Sequence, residues 1–425
     1  MTTEARIQDS IENKISFYHL ACFLILLPFD RFFSQLALMS LIVHTLIHIN
    51  RKRSQKIFNP QNLLLCSAFL ISAIGMFWTH DTAQGFKDLM RQLAILLFPI
   101  VLSTSGIDLQ RYRKKLLLVF AFTCVFTIIY LYVDALRIIL YYGLPLTSLF
   151  SRFFINHNFS SPIDMHATYM AMYVALSISI FIFYIFQEKR KTIKNFYGIS
   201  ILILSAGLLQ LASKAVFIAT FIVVLGLFPY FMPEGKKRIK LSMAALLILL
   251  IPLLAITKID SFKKRYVETL KNDLVQTPGN TEIQEPRIAR WACGWELVRK
   301  SPVIGYGSGS EKRLLKEKYF EKKLYSSYLL ELNAHNQYLS FLIKTGALGL
   351  FIFLSTLIAG FASAWKQRNI IFISFLTLIA VVSFSENILD VNKGIFFYAF
   401  FFSFFALSGN PIMNFTRLIK RNPDH

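Results

Sequence analysis

The chain has 425 residues, 55% hydrophobic and 15% aromatic, with a mean hydropathy of +0.51 and only 16% charged residues. Soluble domains carry about 25% charged residues, so a soluble globular fold is excluded and a polytopic membrane protein is indicated. The formal net charge of +22 sits mostly in short loops between apolar runs, where membrane topology accounts for it and nucleic-acid binding does not.

Apolar runs predict an all-α polytopic membrane protein with about twelve spans, at 16–28, 32–49, 63–78, 89–104, 116–141, 166–186, 196–212, 215–232, 241–257, 336–365, 370–385 and 394–409. Crossing a ~30 Å core takes about 20 residues, so several of these are short or tilted. The runs are continuous rather than alternating, which selects helices over a barrel. The first two read either as separate spans or as one broken hairpin around Phe29-Asp30-Arg31, and the count is eleven to thirteen. Basic clusters recur in alternate loops: Arg51-Lys52-Arg53, Arg111 with Arg113-Lys114-Lys115, Lys189-Arg190-Lys191, Lys236-Lys237-Arg238 and Lys366 with Arg368, then Arg417, Lys420 and Arg421. Basic short loops stay inside, so both termini are expected in the cytoplasm and the one long hydrophilic loop, 258–334, outside. The chain thus divides into helices over 1–257, a loop over 258–334, helices over 335–409 and a tail over 410–425.

Within the loop, Ile288, Trp291, Ala292, Trp295 and Val298 fall at helical spacing and predict an amphipathic helix over Arg287–Lys300. Ser301-Pro302 stops it, Gly305-Tyr306-Gly307-Ser308-Gly309 makes a turn, and 311–332 predicts a second, highly charged helix. The segment Gln276-Thr277-Pro278-Gly279-Asn280 reads as flexible. The loop is either an ordered cap over the bundle or part of a site.

Chemistry concentrates where this loop returns to apolar sequence, at Asn333-Ala334-His335-Asn336-Gln337-Tyr338-Leu339. A neutral imidazole there can take a proton from a hydroxyl or hydrogen-bond it into line. Arg287 and Arg290 supply planar, permanent charge suited to phosphate oxygens; the plainer reading is a solvated helix face. Lys214 lies between two apolar segments with almost no loop, so it faces a polar cavity or the interface. Asp164, His166 and Tyr169 open another span after the aromatic loop 143–164 and are candidates for an acceptor or sugar site with Asn336, or an interfacial anchor. His80-Asp81, Glu386 and Asp390 are further external polar groups without a derivable role.

Several absences bear on function. No GxxxxGK[ST] motif is present, so no nucleotide-driven pump is expected. No carboxylate cluster suits Mg²⁺, and Cys22, Cys66, Cys124 and Cys293 form neither a disulfide framework nor a metal motif. Residues 1–14 are polar and predict no removed signal peptide. The Asn158-Phe159-Ser160 triplet is too short a match to carry weight.

His335-Asn336-Gln337-Tyr338-Leu339 followed by Lys344-Thr345-Gly346-Ala347-Leu348-Gly349 resembles the signature of the O-antigen ligase family, which also contains the O-antigen polymerases. Arg287-Ile288-Ala289-Arg290-Trp291 and Lys300-Ser301-Pro302-Val303-Ile304-Gly305-Tyr306-Gly307 are similar to that family's external-loop pattern, and Ser213-Lys214-Ala215 falls where it usually has Ser/Thr-Arg. The resemblance covers about 196–361. It implies a C-type glycosyltransferase-like fold in the bacterial inner membrane, working on the periplasmic face without metal, ATP or other cofactor. It further implies transfer of a glycan from undecaprenyl diphosphate to a hydroxyl of lipid A-core or another glycan. On this resemblance His335 is the base or acceptor-orienting group, and Arg287, Lys214 and Arg290 hold the diphosphate. At Lys214 lysine keeps the charge of the usual arginine but loses its bidentate fork. The alternatives are a polymerase of the same family, a secondary transporter or flippase, and a non-catalytic subunit of an export complex.

Overall fold

A computed structural model describes residues 9–29, 31–231, 257–268 and 286–409. Most of the expected 241–257 span, the Lys236-Lys237-Arg238 cluster, the 276–280 segment, Asp30 and the basic residues of the tail lie outside the described residues. Among the described residues the regular structure is helical throughout, without strands.

The helices follow the apolar runs. They are α1 (Ile11–Leu26), α2 (Arg31–His48), α3 (Pro60–Ile74), α4 (Thr82–Thr104), α5 (Leu109–Tyr141), α6 (Ala167–Gln187), α7 (Lys191–Leu211) and α8 (Lys214–Phe221). A π-turn over Ile222–Leu227 and a last turn at Phe228–Phe231 prolong α8. The chain resumes in α9 (Arg287–Lys300), α10 (Glu311–Glu321), α11 (Gln337–Lys366), α12 (Ile370–Val382) and α13 (Asn392–Leu407). Polar side chains cap several N-termini, where the first backbone N–H groups lack helical partners: Ser10 accepts from Asn13, Asp108 from Arg111 and Asn369 from Phe372. The first two apolar runs are separate helices that pack on each other.

Among the described residues, six helical stretches are long and apolar enough to cross a membrane: Pro60–Trp78, Leu109–Tyr141, Ala167–Gln187, Lys191–Leu211, Lys214–Phe231 and Gln337–Lys366. Large apolar side chains stand exposed along them, among them Phe126, Val133, Leu202, Phe351 and Ile358. Lipid explains such exposure, and this is a membrane protein. α12 and α13 have only 13 and 16 residues, less than a full crossing needs, but both are buried along almost their whole length. Protein rather than lipid therefore surrounds their ends. Aromatic rings fill this centre, with Tyr173 stacked on Phe397 at 5.0 Å and Phe120 edge-on to Phe401 at 4.7 Å.

Contacts between helix ends sort the bundle into two poles. At one, Arg53 pairs with Glu12, Asn62 bonds Ser103 at 2.7 Å, Gln61 donates to the Ala406 carbonyl and Lys114 lies over the Tyr184 ring. The basic clusters that fall on described residues gather there. At the other, Lys393 donates to the Leu27 carbonyl, Gln92 to that of Leu389 and Trp78 to that of Ile304. The loop helices α9 and α10 cover this second pole through Cys293, Leu297, Val298, Leu315 and Tyr319, which pack on Leu339 and Ile343 of α11.

Two expected helices are interrupted. The charged helix stops at Glu321; Lys323 takes a left-handed φ of 59° before a short turn at Tyr325–Leu329. The expected 336–365 span is broken at Gly346, whose φ of 65° and ψ of −162° lie outside helix. The cap backbone fills the break: Tyr306 and Gly307 donate to the carbonyls of Ile343 and Lys344 at 2.9 and 2.8 Å, and Ala347 donates to Pro302 at 2.8 Å. This satisfies groups that a broken helix would leave unpaired in an apolar setting. Two glycines permit the approach, since a Cβ on Gly346 would lie 2.2 Å from Val303 backbone and one on Gly305 2.6 Å from the Ile343 carbonyl. Gly346→Ala should therefore cost at least ~2 kcal/mol through strain and clash. Gly198→Ala, with nothing within 4 Å of its added Cβ, should be neutral or slightly stabilising. Thermal melts of the purified variants check both; a Gly346→Ala protein as stable as wild type would contradict the stapled break.

Candidate functional site

At the capped pole the chain enters α11 through a tight turn. His335 has a φ of 46°, a left-handed conformation that costs a non-glycine residue roughly 1–3 kcal/mol and persists only when surroundings fix it. Here they do. The His335 amide donates to the Asn333 side chain at 3.0 Å, the Asn336 amide to the Asn387 side chain at 2.8 Å, and the Trp291 indole to the Ala334 carbonyl at 2.9 Å. Asn336 caps α11 by accepting from Tyr338 and Leu339, and Gln337 accepts from the Leu389 amide at 2.8 Å. Every polar residue of the His335-Asn336-Gln337 turn thus has a structural partner, and the imidazole is held at the rim.

That imidazole meets a carboxylate. His335 Nδ1 lies 3.3 Å from Glu386 Oε2, and Arg287 lies 3.8 Å from Glu386 Oε1. The Glu386 side chain is 10% exposed, while those of His335 and Arg287 are each 26% exposed. Burial works to raise the Glu386 carboxyl. The His335 hydrogen bond and the charges of His335, His166 and Arg287 outweigh it and hold the carboxyl below its ordinary value. An ionised Glu386 accepts the Nδ1 proton, so in the neutral ring Nε2 is the basic nitrogen.

Beneath this pair runs a buried ionic network. Lys344 reaches Asp390 at 2.8 and 2.9 Å and Glu311 at 3.2 Å; Glu311 also accepts from Ser340 and from the Ala334 amide. Asn387 donates to Asp390 at 2.9 Å. The network ties the first turn of α10, the first half of α11 and the 386–390 turn into one floor. Asp390 and Glu386, without a role from sequence alone, therefore act here as the floor's anchor and the imidazole's partner.

A second group lines the same pole. The His157 and His166 rings meet edge-on with centroids 4.1 Å apart, and Tyr169 lies 5.5 Å from His166. Both histidines are open to solvent yet crowded by protein. Burial, then His166 and Arg265, push His157 down to about 4 against the pull of Glu386. Burial likewise lowers His166, opposed by Glu386 and aided by His335, Arg265 and Arg287. His166 thus belongs electrostatically with the Glu386 group, whereas Tyr169 is buried, its hydroxyl 3.5 Å from the Asn387 carbonyl. Arg290 is buried within α9, and Asn336 serves as a cap. Lys214, half-buried, begins α8 just after Ala212, whose φ of 47° turns the chain sharply. It lies at the same pole, but the direct contacts join His335, Glu386 and Arg287. A cleft of about 410 Å³ lined by Tyr130, Asp134, Arg137, Phe153 and Asn158 opens beside this group rather than within it.

Sequence reasoning singled out neither His157 nor Arg265, because neither stands in a motif.

Two outcomes follow. Lys344→Met leaves Glu311 and Asp390 uncompensated, and should destabilise the protein by ~3–5 kcal/mol in thermal or denaturant unfolding. The folded pKa of His157 lies below its unfolded value of about 6.5, so the unfolded chain takes up its proton first as pH falls. Its contribution to stability is complete above that value and is lost between there and about 4. Melting temperature should fall from pH 7 to 5, less steeply in His157→Leu; identical slopes would contradict this environment.

Residues 199–354 match the family described as O-antigen ligase. The matched region contains Lys214, Arg265, Arg287 and His335, whereas His157, His166 and Glu386 fall outside it. No curated protein matches the chain. With the His335 turn and its capped pole on one side and this match on the other, the chain carries a domain of the O-antigen ligase family, a family of membrane glycan ligases and polymerases.

Proposed function

We propose that this protein is a metal-independent glycan transferase, ligase-like, which moves a glycan from undecaprenyl diphosphate to a hydroxyl on lipid A-core or a similar acceptor. The observation that carries the reading is the shared carboxylate: Glu386 takes the Nδ1 side of His335 and faces Arg287. The imidazole of His335 and the guanidinium of Arg287 then flank one carboxylate at one pole. In the proposed step the acceptor oxygen attacks the anomeric carbon and its proton passes to His335 Nε2. The bond from that carbon to the diphosphate oxygen breaks, and undecaprenyl diphosphate leaves with its added charge stabilised by Arg287, joined by Lys214 and Arg290. Positioned bases and electrostatic donors each commonly contribute about a hundredfold or more in rate.

The gathering of basic clusters at the opposite pole supports placing that pole in the cytoplasm. The proposed topology is therefore about twelve spans in the inner membrane, with both termini cytoplasmic and the His335 pole periplasmic. The polar groups cluster at one pole rather than at mid-bundle, which favours an enzyme over a carrier.

The test is transfer by purified protein in detergent, without a gradient, using defined undecaprenyl-diphosphate glycan. His335→Ala and Arg287→Ala should each lose transfer by about a hundredfold or more while inserting and folding normally. Near-normal transfer from His335→Ala would reject the catalytic role. Offering lipid A-core and lipid-linked glycan as rival acceptors separates ligation from polymerisation.

A further inference from the structure

The 143–166 loop is built to place two imidazoles at the start of α6. Gln210, 1% exposed, donates to the carbonyls of Leu149 and Phe154, and the Asn156 amide donates to the Gln210 carbonyl at 3.0 Å. These bonds pin the loop to the end of α7. Phe159 and Ile163 bury beneath it. Asn156 and Asp164 both take left-handed φ, 61° and 48°, and between them they turn the chain so that His157 and His166 face each other.

What fixes the rings is their bonding to the helix. The Thr168 amide donates to His166 Nδ1 at 3.3 Å, and the Ala167 amide donates to His157 Nδ1 at 3.4 Å. The first N–H groups of a helix have no partner within it, and here two imidazoles accept from them. A ring nitrogen that accepts cannot carry a proton, so in both neutral rings the proton sits on Nε2. The positive end of the α6 dipole further disfavours an imidazolium at this position. The loop therefore presents two neutral N–H donors, 4.1 Å apart by ring centroid. Arg265 and Glu386 act electrostatically on both rings, and His335 and Arg287 act on His166. Among the described residues, the guanidinium groups of Arg265 and Arg287 bring positive charge to this pair, which suits an anion.

We infer that His157 and His166 form a tautomer-locked pair of neutral donors that binds a non-bridging phosphate oxygen of the lipid diphosphate, extending the anion site from Arg287 toward Arg265. The inference rests on the proposed function for the identity of its ligand. Neutral donors suit this task. They stabilise charge on the departing diphosphate without offering it a readily lost proton, so the only proton in flight is the one His335 takes from the acceptor.

The experiment uses the full-length protein in detergent, with histidine ring nitrogens labelled for NMR and inorganic pyrophosphate as the probe. At pH 7 both rings should show protonated Nε2 and unprotonated Nδ1, and pyrophosphate should shift both Nε2–H signals. By calorimetry, His157→Leu and His166→Leu should each weaken pyrophosphate binding about tenfold or more, as loss of a hydrogen bond to a charged group does. His157→Gln, which keeps an N–H donor, should recover part of that affinity. A protonated Nδ1 on either ring of the wild-type protein overturns the inference whatever the variants do. So does unchanged pyrophosphate affinity in both leucine variants while Arg287→Ala still weakens it, an outcome that leaves the diphosphate reading of Arg287 intact. If wild type does not bind pyrophosphate and Arg287→Ala transfers normally, both fall together.

Discussion

Glu386 is a buried carboxylate held between an imidazole and a guanidinium, and the pole of this protein is arranged around that fact. A charge taken out of water persists only if it is paired and hydrogen-bonded. Glu386 meets that requirement with the imidazole of His335 and the guanidinium of Arg287. Those groups come from three separate places: the turn after α12, the turn before α11 and the first residue of α9. Holding one carboxylate therefore brings a base and a cation together, and the pairing dictates which imidazole nitrogen is left basic.

The rest of the pole keeps these three turns in register. Asn387, next in chain to Glu386, bonds the backbone of Asn336, next to His335. Trp291, one helical turn beyond Arg287, bonds the carbonyl of Ala334. Below them Lys344 bridges the carboxylates of Glu311 and Asp390, and the cap backbone at 302–307 is stapled into the break in α11. Cap and helix thus behave as one rigid body at the site. A shift of the cap would have to unpair buried backbone groups, and such groups are costly to leave unsatisfied.

Much of the scaffold was legible because its causes are local. Apolar runs marked the helices and Ser301-Pro302 ended α9, but the face read from Ile288, Trp291, Ala292 and Trp295 is not the one laid on the bundle: Ile288 and Trp295 are exposed, and Ala289, Cys293, Leu297 and Val298 are buried. The break at Gly346 was not legible, since Lys344-Thr345-Gly346-Ala347 reads as ordinary helix until a second backbone is known to press on it. The site divided along the same line. His335 and Arg287 stood out by type and position within motifs. Glu386 did not, because its partner lies 51 residues away and no window of sequence displays a pairing over that distance. His157 and Arg265 were missed for a similar reason, their significance arising only when loop and helix ends converge.

A double-mutant cycle between His335 and Glu386, read in glycan transfer by purified protein, tests the central claim most directly. If the carboxylate works through the imidazole, Glu386→Gln should slow transfer when His335 is present and add almost nothing once His335 is alanine. Losses that simply multiply would mean that the two residues act independently, and the account of this pole as a carboxylate-held base would be wrong.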